Sequence, residues 1–216
     1  KSRPTPTLPP SPSPSSSSMH PVLIFLLSLL VLPSIFWLVI KSSPSYFAIT
    51  KRRMGVMSMI ASSTMTVLSL PYVLEFIQAS GNVSLMDERR DRDHGSEGEE
   101  ATGRKQLGNV ICMTFAAYLV ADLVVGRKYY RKDLTVVNGY IHHHVYAFIV
   151  IGAVATWQTS LFALCALMEL PTFFLALANT FPKQRNDWAF ASTFLATRIM
   201  LHAWICWAYG VWVTEG

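Results

Sequence analysis

Hydrophobic positions in this chain come in long unbroken runs rather than in stripes. Six runs stand out, at about 21–40, 54–78, 107–126, 140–156, 159–180 and 188–213, with polar segments between them. Each approaches the ~20 apolar residues a helix needs to cross a hydrocarbon core of ~30 Å. None alternates in the manner of a half-buried strand, and no segment repeats. The pattern predicts an all-α, multipass transmembrane helical bundle of about six spans. Residues 21–45 read as an N-terminal membrane anchor. A signal peptide is the rival reading, but the apolar stretch continues past Pro33 and no small-residue cleavage site follows. Residues 1–20 form a Pro/Ser-rich tail too polar to fold. Residues 46–216 form the membrane domain, with a flexible mixed-charge loop expected at 80–106. The chain begins at Lys1 and stops at Gly216, just past its last apolar run, which predicts a fragment truncated at the C-terminus.

Two runs carry internal signals. The second contains Ser58, Ser62, Ser63, Thr64 and Thr66, small hydroxyl residues that suit close helix packing and bonds across helices. In the fifth, Pro171 follows Glu169-Leu170, so a kink is expected. The backbone groups freed near Glu169 are tolerable only against protein or a water-lined cavity.

Composition agrees with a membrane location: 51% of residues are apolar and 14% charged, against roughly 25% charged in soluble domains. The net charge of +5 is clustered in short loops rather than laid out along an aromatic-rich face, which excludes a nucleic-acid surface. Lys41, Lys51, Arg52 and Arg53, then Arg127, Lys128, Arg131 and Lys132, then Lys183 and Arg185 occupy alternate connections. The positive-inside rule makes those connections cytosolic and the N-terminus lumenal. The sequon Asn82-Val83-Ser84 falls on the lumenal side, so Asn82 is a candidate glycosylation site. Trp37, Tyr46, Trp157 and Trp188, near span ends, read as interface anchors. Cys112, Cys165 and Cys206 lie in apolar runs without CxxC spacing, and no disulfide framework is expected.

Ionisable residues inside spans are costly and mark function or pairing. Asp122 lies in the third run, four residues after Tyr118 and so on the same helical face. His142, His143 and His144 open the fourth run, and Glu169 and Arg198 lie in the fifth and sixth. Consecutive helical residues are ~100° apart, so one or two of the histidines face the interior. A neutral imidazole there suits a general base, with Asp122 or Glu169 as its orienting carboxylate. The alternative is structural: the histidines as polar glue at the membrane boundary, and an Asp122–Arg198 or Glu169–Arg198 pair holding the bundle together. On that reading Tyr118 donates to Asp122, and Thr172 caps carbonyls at the Pro171 kink. No metal site is expected, because His20 and His94 lie in a tail and a loop and His202 is alone on its span.

Ala117-Tyr118-Leu119-Val120-Ala121-Asp122, the His142–His144 run, Met168-Glu169-Leu170-Pro171-Thr172 and the stretch from Phe190 to Arg198 follow one another in the order seen in the TLC-domain family. The resemblance runs from about Arg53 to near the end. It implies a multipass endoplasmic-reticulum or related membrane protein acting in lipid homeostasis, by lipid or acyl-chain binding, sensing or metabolism. The ceramide synthases of that family are acyl-CoA-dependent N-acyltransferases that need no metal and use acyl-CoA as co-substrate, with no further cofactor. By the same resemblance His142, His143, His144, Asp122 and Glu169 would be catalytic, and Tyr118, Thr172 and Arg198 structural or substrate-positioning. Two aspartates spaced three apart mark ceramide synthases, and here Glu169 and Thr172 stand in their places. A serine and a histidine mark the first helix of many members, and here Ser58 and Ala61 correspond. The chain is thus more similar to the ordinary TLC-domain proteins than to true ceramide synthases. The partners expected are membrane lipids and, within the membrane, a homo- or hetero-oligomer; nucleic acid is not among them.

Overall fold

A computed structural model of the chain describes residues 19–88 and 99–215. The Pro/Ser tail, apart from its last two residues, lies outside the described residues, as do 89–98 of the expected loop. Among the described residues there is no strand. The helices are α1 (Pro21–Ser42), α2 (Thr50–Gln78), α3 (Glu99–Tyr129), α4 (His142–Ala155), α5 (Thr159–Cys165), α6 (Leu170–Thr180), α7 (Asp187–Thr193) and α8 (His202–Glu215). A π-helical turn, Val136–Ile141, leads into α4, and a second, Phe194–Leu201, joins α7 to α8. A 3-10 turn, Ala166–Glu169, joins α5 to α6. By length and apolarity five units can cross a membrane: α1, α2, Thr102–Tyr129, Thr159–Thr180 and Asp187–Thr214. The expected fourth span is a shorter apolar helix, Gly139–Ala155. The chain is an α-helical multipass bundle.

Local sequence explains where these elements start and break. Pro21 occupies the first turn of α1, where its missing N–H costs nothing, and the His20 ring accepts from the Val22 amide. Pro171 sits in the first turn of α6, so the preceding helix tightens into the 3-10 turn. The kink expected from sequence is this break. Of the hydroxyls of α2, Ser58 bonds across to Tyr118 of α3 as expected, but others behave differently. Ser62, Ser63, Thr64 and Ser69 donate to carbonyls three or four residues back in their own helix, at 2.6–3.0 Å. In apolar surroundings the nearest acceptor is the preceding turn. What brings α2 close to α6 is small size: Gly55 lies directly against Ala176 and Thr180.

Successive connections fall at opposite ends. At the basic end, Tyr46 Oη donates to the Thr180 carbonyl at 2.7 Å and Arg53 reaches the carbonyls of Phe47 and Tyr129. At the other end, Glu88 is buried and its Oε1 accepts from Thr159 Oγ1, Ser160 N and Ser160 Oγ at 2.6–2.8 Å. Nearby, Arg104 pairs with Glu75 at 2.8 Å and donates to the Leu85 carbonyl. The described part of 80–106 is therefore built into the bundle: Val83–Met86 is a 3-10 turn and α3 is already helical at Glu99 rather than at about Leu107. Those polar residues read as loop because their partners lie far away in sequence.

The core has two parts. The larger gathers Met65, Tyr72, Phe76, Ile111, Phe115 and Leu164 towards the Glu88 end. The smaller, at the basic end, holds Phe36, Phe47, Val56, Met57, Val125 and Tyr130. A Cβ at Gly55 would stand 2.2 Å from Thr180 Oγ1 and 2.8 Å from the Ala176 carbonyl oxygen. Gly55→Ala is therefore expected to lower stability by on the order of 1–3 kcal/mol through forced separation of α2 and α6. Gly103→Ala, which meets nothing within 4 Å, should melt as the wild type in detergent.

Candidate functional site

The polar centre of the molecule forms where α3 leaves the membrane and α4 re-enters it. Arg127 and Lys128 close the last turn of α3, where cations favour the exposed carbonyl end of the helix dipole. The chain turns at 130–135 and re-enters through the wide π turn, which brings the Gly139 carbonyl under the His143 ring. His143 is 5% exposed and Asp122 4%. His143 Nδ1 lies 2.5 Å from the Gly139 oxygen. A carbonyl only accepts, so Nδ1 carries a proton. Nε2 lies 3.0 Å from Asp122 Oδ2, an ion-pair distance without the alignment of a hydrogen bond. The contact is an ion pair when the ring is protonated.

Asp122 uses its other oxygen on a residue absent from the sequence expectation. Tyr130 Oη donates to Asp122 Oδ1 at 2.5 Å. Tyr130 is fully buried, and burial, with the Asp122 carboxylate beside it, pushes its phenol well above the ordinary value, so it is a donor at any physiological pH. Its ring lies back along α3 against Gly126, where a Cβ would stand 2.7 Å from Tyr130 Cε2. Tyr118, expected to donate to Asp122, instead sets its ring 5.9 Å from that of His143, with Ser58 of α2 on its hydroxyl side. A glycine one turn from a buried tyrosine was the signal in the sequence.

The three histidines point apart, as helical rotation requires. His144 is exposed and its Nδ1 donates to the Tyr140 carbonyl at 2.6 Å. His142 is exposed too. Its ring packs 4.5 Å from that of Tyr146 and 5.7 Å from that of His143, and among the described residues it makes no hydrogen bond. His142 is thus the histidine with open ring nitrogens, whereas His143 has both occupied.

A second cluster lies beside the first, at the break between α5 and α6. Arg198, on the π-helical stretch, donates from Nε to the Met168 carbonyl at 3.0 Å and from Nη2 to Thr172 Oγ1 at 2.8 Å. Its Nη2 is 3.9 Å from Glu169 Oε1. Of the two pairings open from sequence, the one formed is Glu169–Arg198. Thr172 accepts from Arg198 rather than capping carbonyls at the kink; the Met168 carbonyl there is met by the guanidinium itself. The two clusters meet at His142 and Tyr118: His142 lies within electrostatic reach of Arg198, and Tyr118 within reach of both Asp122 and Glu169. Among the described residues no group of three His, Cys, Asp or Glu side chains could hold a metal ion. Asn82 is exposed at the opposite end, its Oδ1 accepting from Ser84 N and Oγ.

Comparison with known families decides the kinship of this arrangement: the family model described as the TLC domain matches residues 51–215. The chain belongs to the TLC-domain family. Every candidate side chain above lies inside the TLC domain, and α1 lies outside the matched region. No curated protein and no solved structure matches the chain. As a TLC-domain protein it is a membrane protein of lipid-related function.

Arg198 offers a direct check on the second cluster. Arg198→Ala strands Glu169 and the Met168 carbonyl together, and thermal melts in detergent should show a loss on the order of 3 kcal/mol. Adding Glu169→Gln should recover part of it. Because the Glu169 contact is long, at 3.9 Å, the recovery should be incomplete.

Proposed function

We propose that this TLC-domain protein binds a lipid or acyl chain at the cluster of His142, Tyr146, Glu169, Thr172 and Arg198, and acts in lipid homeostasis in the endoplasmic reticulum. The observation that carries this reading is the division of labour between neighbouring histidines. His143 is buried with a partner on each nitrogen, which makes it an anchor for α3 and α4. His142 stands exposed beside Tyr146 and within reach of Arg198, with no hydrogen bond on its ring among the described residues. An imidazole, a phenol and a guanidinium at that depth suit the polar head or carbonyl of a lipid whose chains stay in the bilayer.

One observation favours a second reading, acyl-CoA-dependent N-acyl transfer. An open imidazole next to a carboxylate and a guanidinium is also a general base with an electrostatic partner. His142 would take the proton of an attacking amine as its nitrogen bonds to the thioester carbonyl carbon, and return it to the departing thiolate as the C–S bond breaks. Against it stands Thr172, a hydroxyl engaged by Arg198 where ceramide synthases carry a carboxylate.

Histidine variants separate anchor from ligand. His143→Ala should lower the melting temperature and protein abundance, with any lipid phenotype following abundance. His142→Ala should leave melting nearly unchanged and remove the change in membrane lipid composition that the intact protein produces. His144→Ala should do neither. The reverse pattern, with His142 neutral and His143 acting at constant stability, sinks the assignment. For the acyl-transfer reading, purified protein is given labelled acyl-CoA and a sphingoid base. Absence of amide product above the His142→Ala control, in protein that still binds lipid, leaves lipid handling alone.

The orientation follows from charge, with the basic end cytosolic and the N-terminus lumenal. Asn82, exposed at the opposite end, should then acquire a glycan in microsomes, read as a glycosidase-sensitive mobility shift. Protease cleavage at Asn82–Glu88 from the cytosolic face would overturn the orientation.

A further inference from the structure

The basic end of the bundle holds a cavity that shares no residue with the centre above. It encloses about 370 Å³ between the start of α2, the last turns of α6, the connection 181–186 and the first turn of α7. Its lining includes the polar residues Lys51, Asn179, Arg185 and Asp187, taken here as the rim, and the apolar residues Phe174, Leu175 and Phe190, taken as the wall.

The three basic residues that open α2 do different things. Arg52 donates to the Tyr46 carbonyl at 2.9 Å and covers the Tyr46 ring at 4.1 Å. Arg53 binds the Phe47 and Tyr129 carbonyls. Both are spent on closing the loop before α2. Lys51 is exposed and is the member of the three that lines the cavity. Arg185, across the cavity, shares its charge with Asp187 at 2.8 Å, both of them solvent-facing; exposed pairs of this kind hold weakly. With two cations, Lys51 and Arg185, against the one carboxylate of Asp187, the rim is net positive.

Depth decides what can fill the space. From Phe174 to Thr180 α6 rises ~9 Å, so the apolar wall runs below the level of Lys51 and Arg185. Trp188, 87% exposed beside the cavity, marks that level as the membrane interface. A ligand matching both rim and wall carries an anionic head and an apolar tail at one end of the bundle. A free phosphate would satisfy the rim alone. We propose that this cavity is a binding site for one anionic phospholipid, its phosphate between Lys51 and Arg185 and an acyl chain along Phe174, Leu175 and Phe190. The site is independent of the lipid-handling centre, since none of these residues takes part in it.

The test uses the full chain purified in detergent, titrated with phosphatidylglycerol, with phosphatidylcholine of the same chain length, and with inorganic phosphate, and read by native mass spectrometry. One phosphatidylglycerol per chain is expected, held about tenfold more tightly than phosphatidylcholine, with no binding of phosphate. Lys51→Ala should weaken it about fivefold, whereas Lys51→Arg retains it. Leu175→Trp should block it by filling the wall without touching a charge. Melting curves of the lipid-free variants establish that each is folded, and Leu175→Trp decides the matter if Lys51→Ala is not. Equal binding of both phospholipids, or unchanged binding by folded Lys51→Ala, identifies annular lipid only and overturns the proposal. Phosphate binding as tight as phosphatidylglycerol overturns it as well, leaving an ion site. Neither result bears on the His142 variants, so this site and the function proposed above fail separately.

Discussion

Burial of the Asp122 carboxylate is the constraint on which the rest of the polar interior depends. A carboxylate at the centre of a lone transmembrane helix costs about 3 kcal/mol even on the most lenient scales. Here both of its oxygens are met: Oδ1 by Tyr130 and Oδ2 by His143. Satisfying them fixes the length of the turn between α3 and α4, the wide re-entry that puts the Gly139 carbonyl under His143, and the rotation of α4. That rotation in turn carries His142, with Tyr146 one turn along the same helix, to the side of Arg198, and His144 to the outside. The candidate site is in this sense a by-product of solving the solvation of one acid.

The second cluster obeys the same rule with backbone in place of a carboxylate. Pro171 has no N–H to continue the 3-10 pattern onto the Met168 carbonyl three residues back, and Arg198 supplies one from another span. A π-helical stretch carries that arginine, and such wider turns re-aim side chains that a regular helix would point elsewhere. The guanidinium is left with donors beyond those used on Met168 and Thr172. Structure and chemistry are in this way joined in one residue, since the group that repairs the break is also the one able to receive a ligand.

Much of this was legible in the sequence. The spans, the kink at Pro171, the separation of the three histidines by helical rotation and the candidate pairing of Glu169 with Arg198 all follow from periodicity and from the cost of charge in lipid. What was missed has a common cause. Tyr130 reaches Asp122 from beyond the helix end, at a spacing that no helical neighbour rule covers, and only Gly126 hinted at the room made for its ring. Glu88 is held by Thr159 and Ser160, far along the chain, so a buried acid was read as part of a solvated loop. Tyr118 and Thr172 were given partners by proximity in sequence, and the tertiary fold offered them others. Local pattern identifies which groups need partners; it does not say which partner arrives.

The order in which the partners of Asp122 are synthesised matters for how the chain enters the membrane. Tyr130 lies at the end of the same helix and emerges from the ribosome shortly after Asp122, well before His143. A span delivered to the bilayer with Tyr130 folded back over Gly126 already has half of its carboxylate satisfied, with no help from a second span. The remaining oxygen then favours the arrival of α4 in one rotation, with His143 inward. The tyrosine is thus a partner that the acid brings on its own helix, and the histidine one that a second span must add.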